Sequence, residues 1–73
     1  KKGEYDKAIT DYTKAIEINP NDAKAMAMMG KLYEIKGVKE KARYWYQKAL
    51  QHKDQLEPWL ITELQNWLND LDK

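Results

Sequence analysis

Gly37 to Leu50 reads G-V-K-E-K-A-R-Y-W-Y-Q-K-A-L, and the chain carries a near copy of that stretch from Gly3 to Ile16. Laying Gly3 on Gly37, a shift of 34 residues (37 − 3), also lays Lys7 on Lys41, Ala8 on Ala42, Tyr12 on Tyr46, Lys14 on Lys48, Ala15 on Ala49 and Ile16 on Leu50. No insertion is needed. Self-similarity at such a period marks a stacked helical repeat, in which each unit buries its apolar face only against its neighbours.

The spacing inside each copy supplies the physical reason. Ala8, Tyr12 and Ala15 fall at i, i+4 and i+7, as do Ala42, Tyr46 and Ala49, so each trio lines one helix face. Two alanines let a neighbouring helix come close, and the tyrosine between them fills the remaining gap.

On these residues, Ala23 to Asp54 resembles one tetratricopeptide (TPR) repeat, and Gly3 to Asp22 resembles the second helix and exit turn of a repeat before it. The family's signature positions are met by Gly30, Tyr33, Ala42, Tyr46 and Ala49, with Gly37 at the turn, and earlier by Gly3, Ala8, Tyr12, Ala15 and Pro20. Met26 and Met29 stand where the pattern usually has an aromatic residue and a leucine, and Asp54 where Pro20 predicts a proline; none of these departures shifts the register. The resemblance implies an all-α fold, an antiparallel helix-turn-helix solenoid of about four helices. It divides the chain into 1–22, the second helix of a truncated repeat; 23–56, a full repeat; and 57–73, a capping helix.

Local signals place the helices. The first is expected from about Glu4 to Ile18, preceded by Gly3 as a turn residue and ended by Asn19-Pro20-Asn21-Asp22, where Asn21 or Asp22 can cap the next. The second, about Ala23 to Lys36, contains Gly30, tolerable where a missing side chain admits a neighbour such as Tyr12 or Tyr46, and is closed by Gly37. The third, about Lys39 to His52, carries Tyr44-Trp45-Tyr46; Tyr46 is assigned to the core, Trp45 to contact with the last helix and Tyr44 to the rim. The last begins near Glu57 with Pro58 in its first turn, and Leu60, Leu64, Trp67, Leu68 and Leu71 form one apolar stripe with Ile61 at its margin. It reads as a cap over the last repeat, or else as an acidic docking helix for another protein.

Composition narrows the function classes. A chain of 73 residues, 42% hydrophobic and 34% charged, suits one small helical domain. Without cysteine there is no disulfide or thiolate metal site, and without serine the usual nucleophile–base pairs cannot be assembled. The single histidine, His52, sits near a helix end among Gln51, Lys53 and Asp54, in a solvated or C-terminus-stabilising place. No Gly-rich phosphate loop or metal-ligand spacing occurs. The reading is therefore no enzyme, no catalytic residues, no metal and no cofactor. With no long apolar run and no apolar core behind Lys1-Lys2, a soluble cytoplasmic protein without a membrane partner is expected.

Charge is uneven along the chain. Residues 1–53 hold twelve Lys or Arg against seven Asp or Glu, whereas residues 54–73 hold one against five. The cations of residues 23–53 point several ways around two helices rather than forming a stripe, which argues against nucleic acid. Solvated helix surfaces are the plainer explanation, and a basic peptide-binding face the sharper one.

What the resemblance implies is a concave surface lined by the first helix of each repeat, here Lys24, Ala27, Met28, Lys31, Glu34 and Ile35. Lys24 and Lys31 share a face with Met28 as an adaptable apolar contact between them, a strip suited to a protein or peptide segment with acidic residues. Ala27→Leu, on that open face, is expected to cost little. Some TPR proteins clamp the C-terminal carboxylate of heat-shock chaperones, but Met28 occupies one of the asparagine positions and too few repeats are present for that clamp. The alternative is a structural scaffold that homo-oligomerises through the first helix, whose face around Tyr5, Ile9 and Tyr12 is expected to lie open, either because the chain is shortened from a longer parent or because a dimer shares that helix.

Overall fold

The computed structural model describes residues 2–72, all of them in helices or the turns between them; Lys1 and Lys73, which the sequence reading placed at the ends of its first and last segments, lie outside the described residues. Four α-helices follow in order: α1, Lys2–Ile18; α2, Ala23–Lys36; α3, Lys39–Gln51; and α4, Pro58–Leu71, with a 3₁₀ turn at Lys53–Gln55 before the last. Each helix packs on the next, giving an antiparallel helix-turn-helix array, and the α2–α3 contact is the most extensive.

The turns explain the path. After α1 the Asn19 N–H still bonds to the Ala15 carbonyl at 2.9 Å, and Pro20 then blocks continuation. Asp22 caps α2, its carboxylate accepting from the Ala25 N–H at 3.1 Å. Gly37 ends α2 with φ 84°, a left-handed conformation that costs glycine nothing, and its N–H bonds to the Glu34 carbonyl while the Val38 N–H reaches Tyr33. Before α4, Glu57 is extended and Pro58 takes the first helical position, where its missing N–H has no partner to lose. Gly3 departs from the expectation: it lies inside the first turn of α1, and among the described glycines only Gly37 has a positive φ.

The core is one cluster of small and large residues. Ala23, Met26 and Ala27 of α2 meet Ala42, Tyr46 and Ala49 of α3, and Leu56, Leu60, Leu64 and Leu71 close it from the last segment. Met29, also buried, faces α1, where Thr13 touches its sulfur at 3.9 Å. Trp45, Ile61, Trp67 and Leu68 pack against the cluster's edge, and Tyr44 is exposed at the rim, meeting Trp45 edge-on at 5.1 Å. A ring contact to α4 is made by Tyr46, 5.5 Å from Trp67.

Gly30 shows why the register holds. A Cβ on it would sit 2.5 Å from Cδ1 and 2.6 Å from Cε1 of Tyr46, and 3.1 Å from the Ala42 carbonyl oxygen. The α2 backbone therefore lies directly against the Tyr46 ring, which is fully buried. Of the two tyrosines the sequence offered as Gly30's neighbour, Tyr46 is the one in place. Exposed ion pairs, Lys36 with Asp6 and Arg43 with Asp72 at 2.7 Å, join neighbouring elements at the surface and contribute only about 0–1 kcal/mol each.

Candidate functional site

Lys24, Met28, Lys31 and Ile35 fall at i, i+4, i+7 and i+11 of α2 and share one stripe. Lys24 is exposed, Met28 and Lys31 are partly exposed, and Ile35 is half exposed at 50%. The Lys31 ammonium is held: it lies 4.6 Å above the Trp67 ring and 3.8 Å from the Glu34 carboxylate. Such a cation–π contact restricts the side chain while leaving its charge available to solvent. At its Ile35 end the stripe runs into an open cavity of ≈ 460 Å³ lined by Tyr5, Asp6, Ile35 and Lys36.

Two residues expected on this surface are built into the fold instead. Ala27 has no exposed area and belongs to the same cluster as Leu56, Leu60, Leu64 and Leu71, so the face on which it was placed is covered. The expectation of a cheap Ala27→Leu change is therefore corrected: it should cost about 1–3 kcal/mol, as should Ala42→Leu, because both side chains meet close-packed neighbours. Urea midpoints of the two variants check this, and a much smaller loss at Ala27 would contradict the packing. Glu34 is only partly exposed and accepts a hydrogen bond of 2.6 Å from the Tyr46 hydroxyl, acting as a strut between α2 and α3.

That bond has a consequence at high pH. Burial, and then the hydrogen bond and negative charge of Glu34, push the Tyr46 hydroxyl well above its ordinary value near 10. Below that value both folded and unfolded chains keep the proton and the bond contributes fully; above it the unfolded chain ionises first, so stability falls as pH rises. Tyr46→Phe, which lacks the hydroxyl, is expected to be about 1–2 kcal/mol less stable at pH 7. The gap from the parent should narrow above pH ~10. Urea titrations at neutral and alkaline pH measure it, and a constant gap would contradict the linkage.

Trp67 is the member of the site that the sequence reading did not assign, since it was counted only in the apolar stripe of α4. Its signal was available: Trp67 stands 34 residues after Tyr33 (67 − 33), in the same register that relates α1 to α3.

A family profile described as TPR repeat matches residues 1–37, spanning α1, α2 and the left-handed Gly37. The chain belongs to the tetratricopeptide repeat family. TPR repeats are in general protein-interaction repeats and typically not catalytic, and the matched span includes every residue of the α2 stripe. A stretch of 46 residues, 63% of the chain, is 44% identical to part of the human Protein O-mannosyl-transferase TMTC1. The chain spans only 5% of that relative's length, and the relative's name describes the whole of it. No solved structure matches the chain. No helix among the described residues is long and apolar enough to cross a membrane.

Proposed function

We propose that this TPR chain is a non-catalytic protein-interaction module that takes a segment of a partner protein along Lys24, Met28, Lys31 and Ile35, with acidic residues of the segment meeting the two lysines. The supporting observation is the stripe itself: two ammonium groups seven residues apart, one pre-positioned over Trp67, flank an adaptable thioether and lead to a half-exposed isoleucine beside an open cavity. Pre-positioning lowers the ordering cost of binding. Ala27 and Glu34 support the strip from beneath rather than touching the partner.

In the same proposal residues 1–22 are the second helix of one repeat, 23–56 a full repeat and 57–73 a capping helix, with a cytoplasmic setting. The capping reading rests on Leu64, which stands 34 residues after Gly30 (64 − 30) and offers no cleft for another tyrosine, and on Glu63, Asn66 and Asn69 on the outer side of α4. Peptides selected from a random library against the parent chain are expected to be rich in Asp or Glu around an apolar residue. Lys24→Glu with Lys31→Glu is expected to weaken the best of them about tenfold or more without loss of helicity. Selection without acidic bias, or unchanged affinity in the double variant, would contradict the proposal. Lys24→Glu alone, at an exposed lysine outside the Trp67 contact, is expected to weaken the same peptides without disturbing the support of Lys31, and unchanged affinity in it would remove Lys24 from the strip.

A further inference from the structure

Met26, Met28 and Met29 are the three methionines of the chain, all on α2, and the fold treats them differently. Met26 has no exposed area and belongs to the central cluster. Met29 is buried against α1, where Thr13 touches its sulfur at 3.9 Å. Met28 alone is partly exposed, on the stripe between Lys24 and Lys31. Because the chain has no cysteine, no thiol competes with this thioether for an oxidant. An oxidant in solution reaches Met28 without any opening of the fold, whereas the other two react only when helices separate.

We propose that Met28 is a modification site for peroxides, and that its sulfoxide switches the α2 strip from binding to non-binding; the switch rests on the strip taking an acidic segment. In the reaction a sulfur lone pair attacks one oxygen of hydrogen peroxide, the S–O bond forming as the O–O bond breaks. Sulfur is oxidised and the peroxide reduced. The proton of the transferred oxygen passes to the departing hydroxide, which leaves as water. The product changes the strip in two ways. A flexible apolar contact becomes a polar, chiral one, which the apolar side chain of a partner segment no longer matches. The sulfoxide oxygen is also a new acceptor about one helical turn from each lysine, with Lys24 four residues before it and Lys31 three residues after. It competes for the ammonium groups that would meet the partner's carboxylates. The buried methionines and the Gly30–Tyr46 contact are untouched, so the core persists while the surface changes. Methionine sulfoxide reductases restore the thioether, which makes the switch reversible.

The full chain is treated with hydrogen peroxide at neutral pH, and the added oxygen is located by fragmenting the tryptic peptide 25–31, which holds all three methionines. Met28 is expected to react at least about tenfold faster than Met26 or Met29, a preference that vanishes in denaturing urea. The probe for binding is the tightest library peptide that Lys24→Glu with Lys31→Glu weakens. The chain oxidised at Met28 is expected to keep its helicity and to hold that peptide about tenfold more weakly. Treatment with reductases for both sulfoxide epimers should restore the affinity. Met28→Leu, compared with its own untreated form, is expected to lose no affinity to peroxide. Oxidation of Met26 or Met29 as fast as Met28 would overturn the modification site. Undiminished affinity of the oxidised chain, or an equal loss by Met28→Leu, would overturn the switch. A library with no peptide sensitive to the two lysines would overturn the strip and the switch with it, while the position of the oxygen still decides the modification site.

Discussion

Tyr46→Ala is expected to lower folding stability by about 3–5 kcal/mol, the range for removing a large aromatic side chain from a packed interior. A chain of 73 residues has on the order of 4–11 kcal/mol to lose, at roughly 0.05–0.15 kcal/mol per residue. The variant should therefore melt at least ~12 °C lower. Three contacts are lost together: the ring against Gly30, the tilted contact with Trp67 at 5.5 Å, and the 2.6 Å bond to Glu34. The loss also reaches the site. Glu34 lies 3.8 Å from the Lys31 ammonium and Trp67 lies beneath it, so both supports of that lysine lose their common neighbour. Thermal and urea unfolding followed by circular dichroism measure the effect, and a loss below about 1 kcal/mol would show that the ring is not what the three helices share.

Gly30→Leu is expected to cost about 3 kcal/mol or more, at the upper end for overpacking, even though leucine is the better helix former by up to ~1 kcal/mol. A single carbon at that position already falls within 2.6 Å of two ring atoms and 3.1 Å of the Ala42 carbonyl oxygen, and the ring it meets is fully buried. The same measurements apply. A neutral or stabilised variant would mean that propensity, not approach, governs this position.

Most of the fold was legible because its signals are local or periodic. Asp22, Gly37 and Pro58 announce helix ends by their own chemistry, and the 34-residue register identifies which alanines and tyrosines face inward. What was not legible is which surface a later element covers. Ala27 reads as part of an open face because α2 alone gives no sign that this position joins the buried cluster shared with α3 and the Leu56–Leu71 segment. Glu34 was taken for a partner-facing charge because a carboxylate at a helix surface position looks solvated until a tyrosine from another helix is seen to reach it. Tyr5, Ile9 and Tyr12, expected open, are partly buried, while the largest exposed apolar residues include Ile18 and Trp59, which no periodic pattern marked. Of the α2 stripe, Lys24, Met28, Lys31 and Ile35 reach the surface as their spacing predicts; the ring that positions Lys31 became visible only when α4 was placed beside it.

The central claim is that slender and bulky residues at a fixed register interlock Gly30 with Tyr46, and a double-mutant cycle over these two positions tests it most directly. Urea unfolding of Gly30→Leu, Tyr46→Ala and the double variant should show the double variant more stable than the sum of the single losses by about 1–3 kcal/mol, because leucine enters the space that the ring vacates. Strict additivity, within about 0.5 kcal/mol, would mean that the two residues do not share a contact and would contradict the account.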